Sequence, residues 1–133
     1  MEQARPLSPV TRDFVAGILD PTGFRHADHV RVAYELLRSR DFASASAVYL
    51  DGIRSVTERA GVPEKANITI TLAFLSVIAE RMAGGDAGTY EAFVAANPDL
   101  MSMAVLENWY SPERLHSAQA RTAFLMPEPA RAS

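Results

Sequence analysis

Two of the three histidines of this chain, His26 and His29, lie three residues apart at the predicted start of a helix, in segment 24–31. Residues at positions i and i+3 share a helix face, so the two imidazoles can converge on one place. Imidazole titrates near neutral pH and is also a common metal ligand. The spacing is compatible with acid/base catalysis, substrate hydrogen bonding or metal binding, and equally with structural roles in capping and packing.

Metal binding by His26 and His29 stays open as an alternative. A protein metal site normally has three or four ligands, and neither an HExxH motif nor a carboxylate-rich partner helix occurs elsewhere in the chain. The chain contains no cysteine, which excludes thiolate sites and disulfides. It also has no glycine-rich phosphate-binding loop. The sequence therefore supports no cofactor, and the metal remains only an alternative.

A second set of polar residues, Asn67 and Thr71, lies on one edge of a strongly apolar predicted helix. Polar groups on a buried helix need partners, since an unsatisfied one costs about 1–3 kcal/mol. They can line a substrate cavity with the histidines. The structural alternative is that Asn67 is an N-cap and that Thr71 bonds back to its own helix.

A third set follows the lone tryptophan, Trp109. Trp109 beside Tyr110 can form a lid or the edge of a pocket, and Arg114 or Arg121 can hold an anionic substrate group through the donors of guanidinium. The alternatives are that the aromatic residues simply pack and that Arg114 pairs with a neighbouring glutamate. Tyr110, Arg114 and Arg121 are thus candidate substrate-binding residues.

Length, composition and charge indicate a single-domain globular protein and argue against nucleic-acid-binding and membrane-spanning classes. A chain of 133 residues with 48% hydrophobic and 22% charged residues is expected to form a single domain, 1–133, with flexible ends at about 1–7 and 126–133. The net charge is −3 and no cluster of lysine or arginine occurs, which argues against nucleic acid as a partner. No apolar run is long enough for a membrane span and no signal peptide is apparent. We expect a cytoplasmic protein.

Hydrophobic periodicity and capping signals predict an all-α fold, a helical bundle of about five to seven helices. Asp41 is the expected N-cap of the third helix, and Gly61 is expected to close it in a left-handed conformation. The fourth helix is the most apolar and is expected to be central. The predicted helices span about 9–19, 26–39, 42–61, 67–82, 90–96, 99–108 and 112–124.

Three segments together resemble a widespread family of small, mostly uncharacterised bacterial proteins. They are 24–34 (FRHADHVRVAY), 65–71 (KANITIT) and 110–121, which begins YSPERL. Family members read FxHxDHLxxAW, KYHETxT and YSxERLxSxxAR in this order. The resemblance covers about 24–121, and it implies no particular reaction.

The departure from the family pattern concerns the candidate site. Where the family has His-Glu, this chain has Asn67-Ile68, so a three-histidine metal centre that the resemblance would imply lacks one imidazole. The favoured expectation is a small helical enzyme acting on a small organic molecule, for example in a biosynthetic tailoring or cyclising step, with His26 or His29 as acid/base. The alternative is a noncatalytic small-molecule-binding or interaction module, for which a homodimer stays open.

Overall fold

The computed structural model describes residues 7–85 and 88–128 of the chain. Within these ranges all regular structure is helical, which confirms the all-α prediction. No helix of the described part is both long and apolar enough to cross a membrane. The seven α-helices are α1 (Pro9–Ala16), α2 (His26–Ser39), α3 (Phe42–Arg59), α4 (Ile68–Ala83), α5 (Tyr90–Ala96), α6 (Pro112–Leu115) and α7 (Ala118–Thr122).

The two longest helices of the described ranges, α3 and α4, each begin with a side-chain N-cap, at the expected cap residues Asp41 and Asn67. Asp41 accepts a hydrogen bond from the Ser44 N–H at the start of α3 (2.8 Å). Asn67 accepts one from the Ile70 N–H at the start of α4 (2.9 Å). Such caps satisfy backbone donors that have no partner inside the helix. Gly61, just after α3, has φ +76°, the left-handed conformation predicted for it.

Three of the predicted helices differ from the observed ones, either in where they end or in being divided into two. The first helix ends at Ala16 instead of about residue 19, because Gly17 adopts φ +76° and stops it. The predicted helix 99–108 consists of two 3₁₀ helices, Pro98–Met101 and Met103–Asn108. The predicted helix 112–124 is split into α6 and α7 by His116 and Ser117, and residues 123–128 are not helical.

The fourth helix is central, as predicted. It contacts α2, α3 and α7, and its side chains Leu75 and Ile78 are almost completely buried. A helix that is apolar around most of its circumference must be covered on several sides. In α4 the residues at 67, 71, 74 and 78 form one face, and those at 73, 76, 77 and 80 form another. These two faces carry the two candidate sites described below.

Substitution of Leu75 tests the central position of α4. Leu75 is 1% exposed, so Leu75→Ala leaves a cavity and is expected to lower the free energy of unfolding by about 2–5 kcal/mol. The measurement is urea denaturation at neutral pH. As a control, Ile18→Ala at a residue that is 61% exposed is expected to cost less than about 1 kcal/mol. Equal small losses for both variants would contradict a central α4.

Candidate functional site

The two candidate histidines lie together at the start of α2, and their ring centroids are 6.4 Å apart. His26 Nε2 is 2.9 Å from the Leu100 carbonyl oxygen, and it is the donor of this hydrogen bond because a carbonyl only accepts. The edge of the His26 ring also meets Phe74 of α4 at 5.3 Å. His26 therefore ties α2 to α4 and to the 3₁₀ helix that contains Leu100. The Asp28 carboxylate accepts a hydrogen bond from the Arg25 N–H (3.0 Å) and so satisfies a backbone donor at the N-terminus of α2.

His29 is packed between aromatic side chains. Its ring centroid is 4.1 Å from that of Phe24. The Tyr49 hydroxyl donates to the His29 carbonyl (3.2 Å) and lies 3.4 Å from His29 Nδ1. Burial, followed by the charge of His26, lowers the pKa of His29 from 6.5 to about 4, although Asp28 opposes the shift. His29 is consequently neutral at pH 7. Burial also raises the pKa of Tyr49, so its phenol stays protonated.

These residues do not fit a metal centre. In the ranges 7–85 and 88–128, no group of three or more histidine, aspartate or glutamate residues is placed to hold a metal ion. His26 Nε2 is bonded to a backbone carbonyl. Asn67, which stands at the histidine position of the family pattern, has both ends of its amide in use: Oδ1 caps α4 and Nδ2 donates to the Leu115 carbonyl (2.8 Å). Its side chain connects α4 to α6.

Thr71 lies on the same face of α4 as Phe74, the residue that contacts His26. It is 7% exposed, and its hydroxyl makes no hydrogen bond to any part of the chain that the structure describes. Neither Asn67 nor Thr71 makes a hydrogen bond to His26 or His29, whose described partners are Leu100 and Tyr49.

The third candidate set does not join the histidines. It holds residues 123–128, which we call the C-terminal strap. The Tyr110 hydroxyl donates to the Leu125 carbonyl (2.8 Å), and Arg114 Nε donates to the Met126 carbonyl (3.0 Å). Arg114 forms no salt bridge with another described residue, and Arg121 is exposed and likewise has no ion pair within the described ranges.

Thr69 fixes the strap from the core side. Its hydroxyl is fully buried; it donates to the Ala123 carbonyl (2.6 Å) and accepts from the Leu125 N–H (3.0 Å). At the far end, the Glu128 N–H donates to the Trp109 carbonyl (3.1 Å) and the Glu128 carboxylate accepts from the Ser111 N–H. Within the strap the Ala123 N–H keeps a helical bond to the Gln119 carbonyl. Five further backbone groups, of residues 123, 125, 126 and 128, bond to Thr69 of α4 or to residues 109–114 instead.

A groove of about 150 Å³ runs between α4 and the strap. Three aromatic rings line it, and two of them are open to solvent: Trp109 is 41% and Phe124 is 44% exposed. The third, Tyr110, is buried and is fixed by its bond to Leu125. The α4 side consists of one helix face. The described lining residues are Ala73, Ser76, Val77, Glu80, Leu106, Trp109, Tyr110, Phe124 and Pro127.

No family model, curated protein or solved structure matches this chain. The family resemblance of the three segments stays a prediction.

Among the groove residues, the sequence indicates Tyr110 as substrate-binding and Trp109 as a lid or pocket edge, with simple packing as the alternative. It places Phe124 at the end of a predicted helix and gives no indication of the other lining residues. The sequence signal for a groove was the pair Trp109 and Tyr110 directly before a capped helix, followed by a tail without periodicity after Met126. The role of Thr69 had no sequence signal, because its partners lie more than 50 residues away.

Thr69 and Thr71 form a matched pair for testing the strap. Thr69→Val keeps the side-chain shape but leaves two backbone groups unsatisfied, so we expect a loss of about 2–4 kcal/mol in unfolding free energy. Thr71→Val removes a hydroxyl that has no described partner and is expected to cost less than about 1 kcal/mol. Urea denaturation measures both. Equal costs would show that the strap is not held through Thr69.

His29 predicts a pH dependence of stability. Its pKa is lower in the folded chain (about 4) than its ordinary value of 6.5, so the unfolded chain takes up the proton first as the pH falls. Stability is fully present above pH 6.5 and declines between pH 6.5 and about 4. Between pH 7.5 and 5 the expected loss from this group is about 2 kcal/mol.

The measurement compares urea denaturation at both pH values in three proteins. His29→Gln is expected to remove this part of the pH dependence, even if the variant is itself more or less stable than the original protein. His116→Gln, at an exposed histidine, is expected to retain it. An unchanged pH dependence in His29→Gln would contradict a buried neutral imidazole.

Proposed function

We propose that this protein is a noncatalytic binding module that takes a small, largely apolar molecule into the groove between α4 and the C-terminal strap. The observation that carries the proposal is the pair of open rings, Trp109 and Phe124, at a concave site of about 150 Å³. Small-molecule sites in proteins are concave, mostly apolar and equipped with few polar groups. Here the polar groups among the lining residues are Ser76, Glu80 and the phenol of Tyr110.

The dimensions of the groove suit a ligand of limited size. A closed protein cavity of about 150 Å³ accommodates a molecule the size of benzene. Tyr110 is pinned by its bond to Leu125 and the strap by its bonds to Thr69, so the walls are largely preformed. Preformed walls favour binding because little side-chain entropy is lost when the ligand enters.

Acid/base chemistry at His26 and His29 is the second candidate function. One observation favours it: a neutral His29 can accept a proton at neutral pH. His26 Nε2 donates to the Leu100 carbonyl, and His29 Nδ1 lies 3.4 Å from the Tyr49 hydroxyl. These contacts give both imidazoles structural roles, and for that reason we prefer the noncatalytic alternative. In either case we propose a cytoplasmic protein with no nucleic-acid partner, in keeping with the absence of cysteine and the net charge of −3.

The single tryptophan of the chain makes the proposal testable by fluorescence, because Trp109 lies in the groove itself. We expect benzyl alcohol to change the Trp109 emission in a saturable way, with a dissociation constant on the order of 1 mM for so small a probe. Ser76→Phe is expected to fill the groove and abolish the response. Ala47→Phe, at an exposed residue of α3, is the matched control and is expected to respond normally.

Two results would contradict the proposal. One is a linear, unsaturable response that Ser76→Phe does not alter. The other is a Trp109 emission that shifts with protein concentration alone, together with a dimer in sedimentation. That second result would assign the exposed rings to the contact of a homodimer instead of a ligand.

A further inference from the structure

We propose that the groove selects a small organic cation of the alkylammonium class, held by the faces of its aromatic rings and by the carboxylate of Glu80. This inference rests on the proposed function, because it names the chemistry of the molecule that the same groove takes. Three features of the groove support it: free ring faces, an unpaired carboxylate and a small volume.

The rings of Trp109, Tyr110 and Phe124 make no contact with another aromatic or histidine ring of the described residues. Of the eight other aromatic side chains, seven lie against another aromatic or histidine ring. Elsewhere the protein itself places cations on rings, since Arg31 lies 4.9 Å from the centroid of Tyr90 and Arg38 lies 5.3 Å from that of Tyr34. No such contact covers Trp109, Tyr110 or Phe124 in the ranges described. Tyr110 is buried, whereas Trp109 and Phe124 are 41% and 44% exposed, so the exposed parts of these two rings are available to an external cation.

The charged lining of the groove, within the described residues, is acidic only. Glu80 is the single charged side chain among the nine described lining residues, and none of the nine is basic. Glu80 makes no salt bridge to another residue that the structure describes. Its neighbour Arg81 is held elsewhere, by a two-point bond to Asp99 (2.8 and 3.0 Å) and a bond to Asn97 (3.0 Å). A carboxylate beside aromatic faces attracts a cation and disfavours an anion.

The volume of the groove favours a small binding group. About 150 Å³ is below the range of roughly 300–1,000 Å³ typical of sites for drug-sized molecules. A single alkylated ammonium group fits a space of this size. Alkylated ammonium groups are also weakly enough hydrated to gain from contact with ring faces, and cages of aromatic residues recognise them for this reason.

Choline and 3,3-dimethylbutan-1-ol provide the test, because they have nearly the same shape and differ in charge. Each is titrated into the full-length protein while the Trp109 emission is recorded. We expect choline to bind about five- to tenfold more tightly than the neutral compound. Raising the salt concentration is expected to reduce this preference, because ions screen the exposed carboxylate.

Two variants assign the preference to the groove. Glu80→Gln removes the charge, and Phe124→Leu removes a ring face while keeping an apolar side chain. Each is expected to lower the affinity for choline about threefold or more and to change that for 3,3-dimethylbutan-1-ol less than about twofold. Glu58→Gln, at an exposed glutamate of α3 outside the groove, is the matched control and is expected to keep the full preference.

The outcomes separate the two proposals. Equal affinity for choline and its neutral isostere overturns the cation inference and leaves the proposed function standing. A preference that survives in both Glu80→Gln and Phe124→Leu also overturns it, since the cation would then bind elsewhere. The absence of a saturable response to choline, 3,3-dimethylbutan-1-ol and benzyl alcohol overturns both proposals.

Discussion

The groove depends on one buried hydroxyl. Thr69 lies inside the core on α4, and it both donates to and accepts from the backbone of the C-terminal strap. After the bond from the Ala123 N–H to the Gln119 carbonyl, the strap makes no further helical hydrogen bond, so it can lie against an apolar helix only if its other buried polar groups find partners. With Tyr110 and Arg114 supplying further bonds, Phe124 and Pro127 are placed opposite α4 and become one wall of the groove.

The two faces of α4 belong to two different candidate sites. On one face, Phe74 meets His26, and the polar groups of His26, His29 and Asn67 bond to backbone atoms or to Tyr49. On the opposite face, open aromatic rings and one carboxylate surround a groove. A binding role on the strap side is therefore compatible with a structural role for the histidines.

The fold was largely predictable because its determinants are local. Asp41, Asn67 and Gly61 act at the positions where their chemistry places them. The prediction was wrong where tertiary bonds replaced helical ones, most clearly at the strap, where Thr69 and Tyr110 hold the backbone out of a helix. The groove could not be derived from periodicity, since nothing in the sequence distinguishes an exposed Trp109 from a packed one.

The most direct test of this account is the position of a bound probe, measured as intermolecular nuclear Overhauser effects between the methyl protons of choline and the aromatic protons of the protein. The single indole, that of Trp109, gives an isolated set of resonances for this purpose. The account predicts cross-peaks to the rings of Trp109 and Phe124 and none to His26 or Tyr49. Cross-peaks confined to the His26 and Tyr49 side of α4 would contradict it.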